Sequence, residues 1–240
     1  MSPETTGAFF DHLRKAEQPT GLGMRFVRRA AERILAFTEL TPGGSVLEIG
    51  PGRGEFAQLC LERKLEYHAV EPNAGLAESL RSRGANVVCA RVPPLPALDR
   101  KFDLVVMINV MEHMSGLEQA LDTACQIRQV LNPGGKFLIH CPDYLSWRRH
   151  FFNCDFSHNY VTTRRRLDQL LVNAGYGGIR SRYMSGPYVG AAAVILAAVA
   201  SHMPFGALEA LFPRCPLCSR LYKLQLTLSR RVLILGHNTA

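Results

Sequence analysis

Short apolar runs alternate with amphipathic segments along the middle of the chain. The apolar runs cover Ser45 to Ile49, Tyr67 to Val70, Val87 to Ala90, Leu104 to Ile108 and Lys136 to Cys141, and Gly, Pro, Asn or Asp bounds each of them. The intervening segments, such as 55–63, 74–83 and 117–130, have helical character. Strands that alternate with helices predict a doubly wound, mostly parallel seven-stranded α/β sheet with helices on both faces.

The flanking regions have other patterns. Residues up to Leu40 space their apolar side chains as a helix does, and Pro42-Gly43-Gly44 ends that helix. Beyond Pro142, Thr162 or Thr163 can cap a helix that runs to Asn173, and Gly177 to Tyr183 and Leu228 to Leu235 are predicted strands. We therefore expect a helical cover over residues 1–42, a core over 43–185, a helical insertion over 186–223 and a last core strand within 224–240.

Length and cysteine usage limit the class of protein. With 240 residues and 47% hydrophobic content, the chain can build one sizeable core. The seven cysteines are scattered, and residues 1–15 are polar, unlike a secretory signal. We expect free thiols in a reducing cytoplasm, with the inner face of the membrane as a peripheral alternative.

The formal net charge of +8 is unevenly placed. Residues 151–240 hold ten Lys or Arg against three acidic residues, whereas residues 1–150 are nearly balanced. This asymmetry indicates an anionic partner for the C-terminal part, such as a phosphorylated substrate, a nucleic acid or an acidic membrane surface. The alternative is that Arg164, Arg165 and Arg166 belong to a solvated helix face.

A glycine turn follows the first apolar run. Val46-Leu47-Glu48-Ile49 leads into Gly50-Pro51-Gly52-Arg53-Gly54, and a helical segment begins at once. Glycines let a ligand approach the backbone closely at the start of a helix. A dinucleotide-binding turn has Gly-x-Gly-x-x-Gly and holds a pyrophosphate, which Glu48 would repel. The turn therefore suits a cationic ligand, and Glu71, at the end of the next strand, is placed to accept hydrogen bonds from ribose hydroxyls.

These residues resemble the Glu/Asp-x-Gly-x-Gly-x-Gly pattern of class I S-adenosylmethionine-dependent methyltransferases. Residues 102–113 resemble the fourth strand and following turn of the group that includes the ubiquinone-biosynthesis methyltransferases, and residues 131–139 resemble the entry to its fifth strand. The resemblance implies that S-adenosylmethionine, or its product S-adenosylhomocysteine, is bound by Glu48, Gly50, Pro51, Gly52, Gly54, Glu71, Pro72, Asn109 and Val110. The family often has an acidic residue near the adenine after the third strand, whereas this chain has Arg91, so backbone contacts are expected there.

Two histidines are candidate catalytic bases. His158 precedes the Thr162 helix, where related enzymes often carry a histidine near the substrate, and an imidazole can take a proton from a hydroxyl near neutral pH. His113 is a second candidate, although together with Glu112 it could simply begin the following helix. The four-residue spacing of His150, Cys154 and His158 lacks a fourth ligand, and no metal is expected.

The remaining features leave alternatives open. Cys215 and Cys218 have the spacing of half a zinc site, but no second pair follows, so two reduced cysteines on a helix are expected. Tyr188 to Ala200 carries no charged residue and is too short to span a bilayer, which takes about 20 residues. The insertion is therefore a substrate lid, a homodimer contact or a membrane-surface element.

For the reaction, we expect O-methylation of a small molecule, a sugar or a lipid-linked biosynthetic intermediate by in-line methyl transfer. A nucleic-acid methyltransferase is the alternative, motivated by the basic C-terminal part. The chain has no Asn-Pro-Pro-Tyr-type motif for a flipped base, and its aromatic residues do not interleave with its arginines, so nucleic acid is not expected as a partner. The third hypothesis is a non-catalytic binding protein of the same fold, against which the intact set of glycines and acids argues.

Overall fold

A computed structural model describes residues 21–239, so the first half of the predicted N-terminal cover lies outside the described residues. Eight strands form one sheet in the order β3-β2-β1-β4-β5-β8-β6-β7. The strands are β1 (Ser45–Ile49), β2 (Glu66–Val70), β3 (Asn86–Val88), β4 (Phe102–Ile108), β5 (Leu131–Pro142), β6 (Tyr176–Ser185), β7 (Tyr188–Val189) and β8 (Arg231–Asn238).

The sheet is mostly parallel, as predicted. Strands β1 to β5 pair in parallel, and β8 enters antiparallel between β5 and β6. Seven strands were predicted, and all seven are present. The additional, eighth strand is the two-residue β7, which forms a hairpin with β6. Two residues are too few to carry a period-two pattern, so this strand was not predicted.

Helices cover both faces of the sheet. They are α1 (Gly21–Thr38), α2 (Glu55–Glu62), α3 (Ala74–Arg81), α4 (Leu117–Gln129), α5 (Tyr144–Trp147), α6 (His150–Asn153), α7 (Arg164–Asn173), α8 (Ala191–Ser201), α9 (Phe205–Leu211) and α10 (Pro216–Leu228), with a 3₁₀ turn over Met111–His113. Helices α1, α2 and α3 pack in one apolar cluster and α4 and α7 in the other. Each cluster includes alternate residues of the central strands, because successive side chains of a strand point to opposite faces.

The C-terminal third follows the predicted order with one corrected boundary. The Thr163 side chain accepts a hydrogen bond from the Arg166 backbone N–H and caps α7, as expected. The last strand begins at Arg231 and not at Leu228, because α10 runs through Leu228. Leu224, Leu226 and Leu228 alternate with polar residues, a period that imitates a strand although these residues lie in a helix.

Candidate active site

The glycine turn joins β1 to α2 at the carboxyl edge of the sheet. Gly50, Gly52 and Gly54 all have positive φ, at 68°, 55° and 79°. This left-handed backbone is accessible to glycine and strained for other residues. The chain leaves β1 between β2 and β4, its two neighbours in the sheet. Ligands of open α/β sheets bind at such a position, where the strand order reverses.

The three glycines differ in the space around them. A Cβ on Gly50 would lie 2.7 Å from Val110 Cγ2, and a Cβ on Gly54 would lie 2.4 Å from Leu80 Cδ2. A Cβ on Gly52 would meet no atom within 4 Å among the described residues. The outer glycines are therefore required by packing, whereas Gly52 faces open space. Gly50, Gly52 and Gly54 thus form a glycine cradle. It fits a ligand that approaches the bare backbone, as S-adenosylmethionine is expected to do.

Glu71 closes the other side of the cradle. It follows β2, is 3% exposed, and accepts hydrogen bonds from the backbone N–H groups of Gly52 at 3.0 Å and Asn73 at 2.9 Å. Burial raises the pKa of the Glu71 carboxyl, and these two hydrogen bonds oppose that shift. A carboxylate that accepts two backbone hydrogen bonds still has lone pairs for ribose hydroxyls, so Glu71 stays the candidate for that role.

Glu48 lies deeper than the resemblance implied. Its side chain is 2% exposed, and one carboxyl oxygen accepts a hydrogen bond from Tyr67 Oη at 2.6 Å. Burial raises the pKa of Glu48 to about 8, and the tyrosine hydrogen bond only partly offsets this. The group is therefore protonated at neutral pH in the protein alone. A cationic ligand nearby would favour its ionised form, which makes proton release a signature of binding.

The end of β4 forms the wall of the glycine cradle opposite Glu71. Asn109 has a φ of 53° and donates its backbone N–H to the His140 carbonyl at 2.7 Å, which turns the chain sharply out of the sheet. Val110 then packs on Gly50. The turn brings the backbone of both residues to the glycine cradle, where the resemblance places them. Pro51 is buried in the turn, whereas Pro72 and Arg91 are exposed.

A cluster of two imidazoles and a carboxyl follows directly after this wall. The ring centroids of His113 and His158 are 4.9 Å apart, and donor atoms of Glu112, His113 and His158 all lie within 4.8 Å of one another. Glu112 and His158 are buried, and His113 is half-buried. The fold thus brings the two predicted histidines together at the carboxyl end of β4, beside the glycine cradle.

Hydrogen bonds define the proton positions of both imidazoles. Asp155 Oδ1 accepts from Ser157 Oγ at 2.6 Å, so Ser157 Oγ in turn accepts from His113 Nδ1 at 2.8 Å. His158 Nδ1 lies 2.6 Å from the Phe151 carbonyl, which can only accept. Each Nδ1 therefore carries the proton and each Nε2 presents a lone pair. Burial lowers the pKa of both histidines, which keeps them neutral near pH 7.

Buried polar groups surround these histidines. Burial raises the pKa of Glu112 to about 8 and lowers that of His140 to about 3. Glu112 Oε2, His140 Nδ1 and Tyr160 Oη have no hydrogen-bond partner among the described residues. Unpaired buried polar atoms are costly and mark sites completed by water or ligand. A carboxyl and two imidazoles are also a donor set that could hold a divalent cation, so the expectation of no metal stays a prediction.

The fold brings the residues predicted from the sequence to one edge of the sheet, but the hydrogen bonds that connect them were not predicted. Tyr67, Asp155 and Ser157 were not singled out, because each acts through a partner distant in sequence or on a loop. His150 bonds Tyr222 Oη at 3.1 Å through its Nδ1, and Cys154 Sγ lies 4.0 Å from His158 Nδ1. The His150 side chain therefore has a partner of its own, whereas Cys154 and His158 contact each other. Cys215 and Cys218 are free thiols at the start of α10.

Comparisons with known proteins agree with this geometry. A family model described as "Methyltransferase domain" matches residues 23–180. The curated protein "Probable tRNA methyltransferase 9B" of Bos taurus is 30% identical over 149 residues, which make up 62% of this chain and 30% of that protein. The chain thus spans less than a third of the length of this relative.

Solved structures show the same fold. A Thermotoga maritima protein described as an S-adenosylmethionine-dependent methyltransferase, possible histamine N-methyltransferase, has a TM-score of 0.59 at 20% identity and is covered to 90%, as is this chain. Haemonchus contortus phosphoethanolamine N-methyltransferase 2, solved with phosphomonomethylethanolamine and S-adenosylhomocysteine, has a TM-score of 0.62 at 17% identity, over 88% of this chain and 52% of that chain.

The family match extends over well more than half of the chain and includes the glycine cradle, Glu71 and the β4 wall. The likeness to the two solved methyltransferases extends over most of the chain and shows a shared fold. The chain belongs to the methyltransferase-domain family, and its fold is that of the class I S-adenosylmethionine-dependent methyltransferases.

Proposed function

We propose that this methyltransferase methylates a hydroxyl of a small molecule, sugar or lipid-linked intermediate in the cytoplasm, with His113 as the general base. The observation that carries the proposal is the hydrogen-bond chain Asp155–Ser157–His113, which places the proton on His113 Nδ1 and leaves Nε2 as the basic nitrogen of the neutral ring. His158, the first candidate from sequence, is buried behind it. We assign His158 to packing against the His113 ring and to keeping it in place.

In this mechanism the bound cofactor supplies a methyl group already activated by its positively charged sulfur. Glu71 and the Gly52 backbone would hold the nucleoside, and Val110 packs against Gly50 beside it. His113 Nε2 accepts the hydroxyl proton as the oxygen attacks. Asp155 stabilises the imidazolium through Ser157, because its carboxylate lies at the end of the hydrogen-bond chain. Correct alignment of the attacking oxygen provides most of the acceleration.

Transfer to RNA is the second candidate, and one observation favours it. The sequence pattern argued against a nucleic-acid partner, whereas the curated relative named as a tRNA methyltransferase argues for one. The ten basic and three acidic residues of 151–240 are consistent with phosphate contacts. The imidazole cluster is largely buried, which favours a small acceptor over a polynucleotide, so this hypothesis ranks second.

Transfer of radiolabelled methyl groups distinguishes the two substrates. Purified protein is incubated with methyl-labelled S-adenosylmethionine and an extract of the source cells, and label is then followed in the lipid, small-molecule and RNA fractions. We expect label in lipid or small molecules. Label that enters RNA and is released by ribonuclease would refute the small-molecule acceptor and support methyl transfer to RNA.

Two variants separate the cofactor cradle from the base. Changing His113→Asn should leave the affinity for S-adenosylhomocysteine unchanged and lower the transfer rate by about a hundredfold or more. Changing Gly52→Ala should weaken cofactor binding itself. If His113→Asn transfers label at the wild-type rate, His113 is not the base.

A further inference from the structure

The insertion between β7 and β8 carries its larger apolar side chains on the outside. In α8 the buried positions are Ala193, Ala197 and Ala200, whereas Ile195 is 66% and Val199 53% exposed. A water-exposed helix of a globular protein normally carries polar side chains on its outer face. No residue from Gly190 to Ala200 has a polar side chain, so α8 has no face suited to water.

The exposed apolar surface continues over the two following helices. We define the insertion face as the exposed side chains of Val194, Ile195, Val199, Leu211, Phe212, Leu217 and Leu224. Leu211 is 71% exposed, Phe212 56% and Leu217 63%. Large apolar side chains exposed together on three helices that pack against one another indicate an interaction site. Helix α5, which contacts α8, adds the exposed Leu145 at its edge.

The insertion is a packed unit and not a frayed segment. Gln225 is 1% exposed, and its Nε2 donates to the carbonyls of Ala200 at 3.0 Å and Met203 at 2.7 Å. Its Oε1 accepts from the Gly206 backbone N–H at 3.1 Å. One buried amide on α10 thus ties the end of α8 to the start of α9. The apolar side chains are exposed from a defined scaffold.

Charge on the insertion identifies the occupant. Residues 186–228 contain Arg214, Arg220 and Lys223 against the single acid Glu209, and the three basic residues are exposed. Arg220 lies on α10 between the exposed Leu217 and Leu224, which places cation and apolar side chains on one helix face. Two copies meeting through this face would bring like charges together. Six of the seven side chains of the insertion face are aliphatic, and with Phe212 as the single aromatic ring the face offers no series of stacking platforms for nucleic-acid bases.

We propose that the insertion face docks this methyltransferase onto the surface of a bilayer that contains anionic lipids. Exposed aliphatic side chains enter the acyl boundary while Arg214, Arg220 and Lys223 contact the headgroups. The segment Ala191–Leu211 is long and apolar enough in composition to cross a membrane, and only 17% of its apolar stretch is buried. It is broken between α8 and α9, however, and the 11 residues of α8 span about 16 Å, roughly half of a hydrocarbon core. The segment therefore lies in the interface.

Docking through the insertion face does not depend on the identity of the methyl acceptor. The insertion is joined to the catalytic region, because Tyr222 of α10 contacts His150 and Asn153 of α6. A bilayer at the insertion face would lie on the side of the molecule that carries α5 and α6. Vesicle binding can therefore be measured on the full chain without any substrate.

Vesicle flotation tests the proposal. Purified full-length protein is mixed with vesicles of phosphatidylcholine alone or of phosphatidylcholine with phosphatidylglycerol, and the floated fraction is measured at low and high salt. We expect flotation with the anionic vesicles, reduced by salt, and little with phosphatidylcholine. Equal flotation with both vesicle types, or none with either, would overturn the proposal.

Matched variants locate the contact. Ile195→Glu should lower partition into anionic vesicles by at least about tenfold, because it places a charge among the acyl chains. Val172→Glu, at an exposed valine on α7, should leave it unchanged. Arg220→Gln should lower partition by about fivefold, whereas Arg63→Gln, at an exposed arginine after α2, should not.

Competing occupants give different results. Concentration-dependent dimers that Ile195→Glu abolishes, without vesicle binding, would show that a second copy covers the face. Binding of RNA that Arg220→Gln weakens, again without vesicle binding, would assign the cations to nucleic acid. Either result refutes membrane docking. The Arg220→Gln arm keeps the test decisive if Ile195→Glu fails to fold, since Arg220 is exposed.

Discussion

Substituting Gly50 and Gly52 by alanine should separate folding from cofactor binding within one turn. At Gly50 the new methyl group would lie 2.7 Å from Val110 Cγ2 at a φ of 68°. The left-handed backbone costs about 1–2 kcal/mol for a residue with a Cβ, and the overlap adds about 1–3 kcal/mol. Gly50→Ala should therefore lose about 2–5 kcal/mol of folding stability, by adding these two costs.

At Gly52 only the backbone cost applies. Its φ is 55°, and no described atom lies within 4 Å of a new Cβ. We expect a loss of about 1–2 kcal/mol, which lowers the unfolding midpoint by about 2–4 °C per kcal/mol in a chain of this size. The methyl group would occupy the cradle itself. Affinity for S-adenosylhomocysteine should therefore fall at least about tenfold, as an overlap of about 1.4 kcal/mol or more would cause.

Thermal unfolding and calorimetric titration with S-adenosylhomocysteine measure both effects. Gly134→Ala is the matched control, because Gly134 has a φ of 73°, open space at its Cβ position and a place at the start of β5, away from the cradle. It should lose as much stability as Gly52→Ala and bind the cofactor normally. If Gly52→Ala binds S-adenosylhomocysteine as tightly as Gly134→Ala does, the cofactor does not rest on this turn.

Three further changes test other parts of the structure. The pKa of Glu48 is raised from 4.5 to about 8, so between these pH values the folded state holds a proton that the unfolded state has lost, and the protein loses stability as pH rises through this range. Glu48→Gln removes this loss and should therefore raise the thermal unfolding midpoint more at pH 9 than at pH 6. Ser157→Ala removes the acceptor of the His113 Nδ1 proton and should lower kcat by about tenfold at unchanged S-adenosylhomocysteine affinity, with Ser157→Thr restoring activity. Asp143 is buried and paired with Arg230 at 2.7 Å, so Asp143→Asn should cost about 3 kcal/mol in urea unfolding, and an unchanged midpoint would show that the pair contributes nothing.

The sequence determined those features that local pattern encodes. Alternating apolar runs and amphipathic segments indicated the parallel sheet, and the spacing of Gly50, Gly52 and Gly54 after a buried strand indicated the cofactor turn. Thr163 was identifiable as a helix cap because capping depends on neighbouring residues alone. The predicted start of the last strand at Leu228 was wrong. Leucines alternate with polar residues there as in a strand, but they lie in helix α10, which is stabilised by the elements that it packs against.

Only the tertiary structure decided which chemical groups meet. His113 and Ser157 are 44 residues apart, and Glu48 and Tyr67 are 19 apart on adjacent strands. No local pattern specifies such pairs, because they depend on strand order and on the path of loops between helices. Tertiary structure also decides which side chains are buried. Burial raises the pKa of Glu48 and Glu112, and in α8 it covers Ala197 but leaves Ile195 exposed. Composition counts the apolar and ionisable residues, but packing alone determines which of them lose contact with water.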